Sequence, residues 1–388
     1  MEKTIAADFV AELRRLLRQG TPTHKFALVR IPQHHAKGVV NENDAWRIRV
    51  RAKCHFIVFG TAKDREIAGS TKHILNLDVQ VAHWPIPRTV SQKLSQEMAE
   101  VFPRRLHIDT RNDLLSLEFT SEWVDCVARY IIGIAASLSG DLAYAESLFL
   151  DLFKNKHLQR SALPPLRKMR QRIPIRLGEI YAFRASQVYE QWCRERNPML
   201  IEEMWHHLVH LRNFYPEHYS GRLLSAIYFF IARRDVEAAL REIRKCRTIR
   251  DATWRYSYAF LVAYCGKMLR ARRMYQSAFE HHCNSADVPL QTEEFMIWLL
   301  QEEPDKVQLH FCLGLVNWHA KDDKKQAVQD FRKFLASNGS QEFPDEVRLA
   351  HAYVSTLEGE LNKEKTEQQD RQVSSGSAPG ASSEEPSS

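Results

Sequence analysis

Residues 130–153, YIIGIAASLSGDLAYAESLFLDLF, have the spacing of two short helices joined by a tight turn. Gly140 marks the turn, and small residues fall where the two helices would approach each other. Because one pair of short helices is too small to bury its own apolar face, the pattern predicts that similar pairs pack beside it. The positions that carry the pattern are Ile132, Gly133, Ala136, Gly140, Ala145, Phe149 and Leu152.

The same spacing recurs further along the chain, in residues 223–246, 256–279 and 312–335. Ala239 and Ala271 hold equivalent positions 32 residues apart, whereas Leu313 and Gly314 are shifted by one residue in the last unit. This spacing resembles the tetratricopeptide repeat, whose helical pairs recur about every 34 residues. The resemblance covers residues 121–361 and implies an array of stacked helical pairs that binds a peptide or a protein.

The resemblance also implies which side chains line the binding groove. In that family they come mainly from the first helix of each pair. Members that clamp a terminal carboxylate place Lys, Asn and Arg there, but this chain has aliphatic and aromatic residues, so we expect no carboxylate clamp. Such a groove would hold an apolar peptide or helix, although an aromatic stripe at helical spacing is also typical of packed core. The groove residues are Leu224, Tyr228, Ile231, Tyr256, Phe260 and Tyr264.

A different pattern occupies residues 22–120 and predicts a small α/β domain before the all-α array. A short apolar run over 26–31, a helix over 43–52 and a buried strand over 55–59 favour a parallel crossover. The phrase AWRIRVRAKCHFIVFG resembles the small amino-terminal domain of Tol-type translocation proteins and of bacterial signalling proteins that carry repeats. This resemblance implies a fold and no activity.

The rest of this domain is predicted to be two hairpins and a helix. Apolar and polar residues alternate along 71–81, which predicts a hairpin with 62–67. A helix is predicted over 90–101. Residues 106–108 and 115–119 are then expected to form the second hairpin.

The predicted crossover locates a candidate ligand loop. Ligands of parallel sheets favour the crevice at the carboxyl ends of the strands, which would bring His34 and His35 beside Thr61. Such a loop would bind an anion or a nucleotide, and a plain solvated loop is the alternative. The chain has neither GxxxxGK[ST] nor a GxGxxG motif after a strand. We therefore predict no cofactor and no catalytic residue, and an enzyme with its site at this loop remains an alternative.

The net charge is +7, with Arg and Lys spread over many helices. The most basic stretch carries Arg167, Lys168, Arg170, Arg172 and Arg176. A nucleic-acid-associated protein that uses these Arg-rich helices is the second alternative, although no aromatic residue alternates with the charges as base stacking requires. A solvated helix face explains the same pattern.

Histidines and cysteines do not predict a metal site. His206 and His210 share a helix face, but the glutamate of HExxH and further ligands at normal spacing are missing. The seven cysteines include no CxxC pair, which favours a reducing cytoplasm. The longest apolar runs are too short for a membrane-spanning helix, so the prediction is a cytoplasmic protein.

The ends of the chain complete the predicted organisation. Residues 1–21 are expected to form an amphipathic helix that packs on the next domain. Residues 362–388 are rich in Glu, Gln, Ser and Gly and are predicted to be a disordered tail. The leading functional hypothesis is a non-catalytic scaffold or adaptor whose repeat array, 121–361, binds a peptide or protein partner. The domain at 22–120 would sense a ligand or dock a partner.

Overall fold

A computed structural model of the protein describes a large part of the chain, comprising residues 31–36, 38–39, 42–53, 56–67, 70–81, 97, 105–109, 113–160, 164–283 and 285–375. The chain divides into two compact units, Met1–Gly221 and Arg222–Ser388. The predicted helix within 1–21 lies outside the described residues, as do the apolar run over 26–31, apart from Ile31, and the helix over 90–101, apart from Glu97. Most described residues are helical.

The first unit begins with two helices and a sheet. The elements are α1 (Gln33–Ala36), α2 (Glu42–Ala52), β1 (Phe56–Ile67), β2 (Ser70–Val81) and β3 (Arg105–Asp109). The sheet has the order β1-β2-β3, and both pairings are antiparallel. β1 and β2 form a hairpin in the stretch where alternation predicts one. Because every pairing among the described strands is antiparallel, the predicted parallel crossover, and with it an α/β domain, is not supported.

The second predicted hairpin is wrong. Residues 115–119, expected to be a strand, lie in the first turns of the long helix α3 (Asp113–Leu138). A run of only five residues with three apolar positions fits a strand and a helix equally well. The strongly helical segment that follows extends into this run, because adding a residue to a formed helix avoids the cost of nucleation.

The remainder of the first unit is helical. It contains α4 (Leu142–Lys154), α5 (Lys156–Arg160), α6 (Pro164–Glu195) and α7 (Pro198–Phe214). The helical pair predicted at 130–153 is confirmed as α3 and α4, and Gly140 makes the turn with a φ of 81°. Asp141 caps α4 by accepting a hydrogen bond from the backbone N–H of Tyr144 at 3.1 Å. Gly133 faces the ring of Phe149, so the two helices pack closely.

The second unit contains the remaining predicted pairs, two further α-helices and a short 3₁₀ turn. Its elements are α8 (Tyr219–Arg233), whose residues 219–221 belong to the first unit, α9 (Val236–Arg244), α10 (Thr253–Tyr264), α11 (Met268–Phe279), α12 (Val288–Glu302), α13 (Gln308–His319), α14 (Lys324–Ala336), a 3₁₀ turn (Asn338–Glu342) and α15 (Pro344–Ser375). The pairs are α8 with α9, α10 with α11, and α13 with α14. α12 stands between the second and third pairs and has no second helix of its own.

The tail prediction is wrong for residues 362–375, because α15 continues to Ser375. These residues are mostly good helix formers, so they extend a helix that packing has already started. Lys324 of α14 forms an ion pair with Glu364 of this extension at 2.6 Å, and with Glu360 just before it at 3.1 Å. Residues 376–388 lie outside the described part of the chain.

A buried polar pair joins α13 to α14. Asn317 Nδ2 donates a hydrogen bond of 2.8 Å to Asp330 Oδ2, and Gln326 Nε2 donates one of 3.2 Å to Asp330 Oδ1. Both Asn317 and Asp330 are buried. Burial raises the pKa of the Asp330 carboxyl, and the hydrogen bond from Asn317 opposes this shift. The side-chain oxygen of Asn317, Oδ1, is buried without a hydrogen-bond partner among the described residues.

Gly314 allows α13 and α14 to approach, despite the one-residue shift noted in this unit. A Cβ atom at Gly314 would lie 2.5 Å from the Phe331 ring, which is itself buried. We expect Gly314→Ala to lower the free energy of unfolding by about 2 kcal/mol, because the ring is enclosed and must shift to avoid the new methyl group.

A matched control lies on α15, where a Cβ at Gly359 would meet nothing within 4 Å. Gly359→Ala should raise the free energy of unfolding by up to about 1 kcal/mol through helix propensity alone. Urea unfolding followed by circular dichroism measures both changes. Equal effects of the two substitutions would contradict close packing at Gly314.

Candidate interaction surfaces

Part of the face predicted to be a binding groove packs against α12. The Phe295 ring of α12 lies with its centroid 6.0 Å from Phe230 of α8 and 5.2 Å from Phe260 of α10. Met296 and Leu299 of the same helix are completely buried. Edge-to-face contacts among such rings add to the gain from burying their area. The first helices of two neighbouring pairs therefore form a surface that binds a helix, and the bound helix belongs to the same chain.

Polar contacts hold α12 near its middle and at its end. Tyr264 Oη donates a hydrogen bond of 2.8 Å to Glu303 Oε2, and Arg234 forms an ion pair of 3.2 Å with Glu303. Glu293, which is buried, pairs with Lys321, two residues after the end of α13. Burial, together with the bond to Glu303, raises the pKa of Tyr264 to about 12. The tyrosine thus stays a hydrogen-bond donor at neutral pH.

Of the six predicted groove residues, Leu224, Tyr228, Tyr256 and Phe260 are buried, and Ile231 and Tyr264 are partly exposed. Phe260 and Tyr264 contact α12 or the residue that follows it, whereas Tyr256 packs within its own pair, 6.0 Å from Phe279. These side chains are thus mostly part of the core.

The length of the interval between two repeats indicates an extra helix, although the repeat pattern alone did not predict α12. Residues 280–311 separate the second and third repeats of this unit, and this interval is long enough for an extra helix. Its apolar residues recur at helical spacing, but periodicity does not tell which surface such a helix covers.

The outer face of α12 carries exposed apolar side chains. Leu290 is 45% exposed and Ile297 is 43% exposed. They lie seven residues apart, so they point the same way, and the exposed Glu294 lies between them on that face. Large apolar side chains that are exposed at helical spacing form a face that can bind the apolar face of another helix.

The predicted ligand loop is not assembled in the way the crossover implied. His34 and His35 are exposed neighbours in α1, with ring centroids 4.2 Å apart. Thr61 lies within β1 and pairs with Asn76 of β2. Since the described strands are antiparallel, the crevice argument that brought these residues together has no support in the described part of the chain.

The predicted basic stretch takes part in holding the first unit together. Arg176 pairs with Glu179 at 2.7 Å and also bonds to Glu97, which accepts a further bond from Tyr130. Arg170 donates to the backbone oxygen of Gln159. These two guanidinium groups are therefore engaged within the molecule.

The histidine pair on α7 belongs to an aromatic cluster. His210 stacks on Tyr181 with ring centroids 5.0 Å apart, and His206 lies 4.8 Å from His210. Burial, followed by the charge of Arg184, lowers the pKa of the neighbouring His207. Within the described ranges, no group of three or more His, Cys, Asp or Glu side chains is arranged to hold a metal ion.

Comparison of the chain with protein-family models and with curated proteins gave no match. Among the helices that the structure describes, none is both long and apolar enough to cross a membrane. Any assignment of function therefore rests on the geometry of the surfaces above.

Proposed function

We propose that the protein is a non-catalytic scaffold of the tetratricopeptide type that binds a helical segment of another protein. The proposal is based on the packing of α12 against α8 and α10. A surface that binds one apolar helix is suited to binding other helices. The buried alanines Ala239 and Ala271, at equivalent places in neighbouring pairs, and the turn at Gly266 with a φ of 74° support the repeat assignment.

The proposed docking site is the outer face of α12, formed by Leu290, Glu294 and Ile297. A partner helix with apolar residues and a Lys or Arg would bury both exposed aliphatic side chains and pair with Glu294. Burying each large aliphatic side chain contributes about 1.5–3 kcal/mol when it is fully removed from water. We further propose a cytoplasmic setting, in which the buried thiols of Cys126 and Cys312 stay reduced.

The test combines the substitutions Leu290→Asp and Ile297→Asp in one variant. A photo-reactive amino acid at Gln301, which is exposed on the same helix, first identifies the partner by crosslinking in cells. Calorimetry with the purified partner then measures affinity. We expect the variant to bind at least tenfold more weakly, because a buried carboxylate without a partner is strongly unfavourable.

The control variant carries Met199→Asp and Leu269→Asp. These apolar side chains are 73% and 55% exposed, respectively, and lie outside α12. It should bind within about twofold of the wild type, since surface changes away from a site have small effects. Equal losses in both variants would refute the proposed face. Crosslinks only to a second copy of the chain would refute a partner of different sequence.

A further inference from the structure

Five arginines of the second unit are exposed, and none of them pairs with an acidic side chain in the part of the chain that the structure describes. Four of them follow one another at intervals of three residues at the end of α9 and in the turn after it, and the fifth is on α11. We call them the arginine surface: Arg241, Arg244, Arg247, Arg250 and Arg270.

The two acidic residues that fall among or directly after these arginines are buried, whereas Glu237, one turn before Arg241, is exposed. Glu242 is buried and pairs with Lys245 at 2.8 Å. Asp251 is buried and accepts a hydrogen bond of 3.1 Å from the Thr253 hydroxyl. From residue 252 to residue 279 the chain contains no Asp or Glu at all. The outward charge of this segment is thus strongly positive, which attracts polyanions.

The backbone spaces these arginines regularly. After α9 the hydrogen bonds run from each N–H to the carbonyl three residues earlier, from Cys246 to Ile243, Arg247 to Arg244 and Ile249 to Cys246. Where such bonds form, as in a 3₁₀ turn, residues three apart lie above one another at a separation of about 6 Å. Arg244 and Arg247 therefore lie on one side of these turns, at a spacing comparable to that of neighbouring phosphates in a nucleic acid strand, with Arg241 on the preceding turn of α9 and Arg250 after the last of these bonds.

A buried aromatic ring fixes two members of the surface. The guanidinium carbons of Arg247 and Arg270 lie 5.6 Å and 5.0 Å from the centroid of Tyr258, which is completely buried. Contacts between a cation and a ring restrict the side chain without neutralising its charge. The two arginines come from different elements, so only folding brings them together. Binding an anion there requires less ordering of side chains than on an ordinary surface.

We propose that the arginine surface binds the phosphate backbone of a nucleic acid. Arginine presents a rigid fork of donors that matches phosphate, and all five members are arginine rather than lysine. Regular spacing favours a regular polyanion over an acidic protein, whose carboxylates follow no such repeat. The surface differs from the basic stretch at 167–176, and it does not depend on the scaffold function proposed for α12.

The test measures binding of a fluorescently labelled single-stranded RNA of about 16 nucleotides by anisotropy, between about 50 and 200 mM salt. Labelled single-stranded DNA and duplex DNA form parallel arms that identify the preferred strand. The variant carries Arg244→Ala, Arg247→Ala and Arg250→Ala. We expect it to bind at least tenfold more weakly to the preferred strand, and its salt slope to fall by about 2 for three lost contacts to a single strand.

The control variant removes the same charge through Arg160→Ala, Arg167→Ala and Arg194→Ala, at exposed positions of the first unit. It should bind within about threefold of the wild type, since only diffuse attraction changes. The thermal midpoint of each variant shows whether it is folded. The proposal is overturned if the wild type shows no salt-dependent binding to any strand, if both variants lose affinity equally, or if polyglutamate of matched charge competes as well as unlabelled RNA.

Discussion

Replacing Asn317 with aspartate is expected to lower the free energy of unfolding at neutral pH by about 3–5 kcal/mol. The new carboxylate would face Asp330 across the 2.8 Å now spanned by a hydrogen bond, and both positions are buried. Two buried carboxylates at that distance cannot both stay ionised, so one of them must take up a proton. Chemical denaturation followed by circular dichroism measures the loss.

The pH dependence separates charge repulsion from a simple packing defect. Because the pKa of Asp330 is already raised in the folded wild type, its stabilising contribution is present below the ordinary value near 3.8 and is lost as the pH rises through the folded value. The added aspartate raises this folded pKa further. The deficit of Asn317→Asp should therefore shrink on acidification to about pH 4.5, near the ordinary carboxyl range.

The matched control is Asn362→Asp on an exposed turn of α15. It makes the same chemical change and should alter stability by no more than about 0.5 kcal/mol. A second variant, Asp330→Asn, removes the buried charge and supplies a donor for the unpaired Asn317 Oδ1. It should be at least as stable as the wild type at neutral pH. Loss of stability in this variant would contradict the buried-charge explanation.

Replacing Phe230 with alanine is expected to cost about 3–5 kcal/mol and to loosen α12 in particular. Phe230 is 2% exposed, and its ring lies 5.1 Å from Phe260 and 6.0 Å from Phe295. Removing it opens a cavity directly beneath α12. Hydrogen exchange should therefore show a larger loss of protection in Val288–Glu302 than in Lys324–Ala336.

An exposed phenylalanine provides the comparison. Phe183 is 52% exposed, and Phe183→Ala should change stability by less than about 0.5 kcal/mol. If Phe230→Ala lowered protection equally throughout the second unit, α12 would be an inseparable part of the core. If protection of α12 did not change, the contact between Phe295 and Phe230 would contribute little to holding it.

Sequence reasoning located features that local chemistry determines. Gly140 has a positive φ, so the turn predicted there is encoded by the residue itself. The strand predicted at 115–119 failed because short apolar runs are ambiguous and a neighbouring helix decided the outcome. The groove positions were assigned from family spacing, yet the burial of Phe260 depends on Phe295, which is distant in the chain.

The arginine surface lay beyond sequence reasoning for a related reason. Arg247 and Arg270 are separated by a whole helix, and only the fold brings them to one tyrosine ring. The stretch with the highest density of positive charge, 167–176, instead contributes Arg170 and Arg176 to internal contacts. Charge density along a chain does not predict which charges remain available, because pairing partners come from other elements.

The two connections of α12, residues 280–287 and 303–307, tie it to the helices on either side. A tethered segment competes with free ligands at an effective concentration that is about millimolar for short flexible links. A soluble peptide of similar affinity would have to exceed that concentration to displace α12 from the surface of α8 and α10. The length of the two connections therefore determines how easily α12 is displaced. Lengthening either connection should make the surface of α8 and α10 more accessible to helices of other molecules.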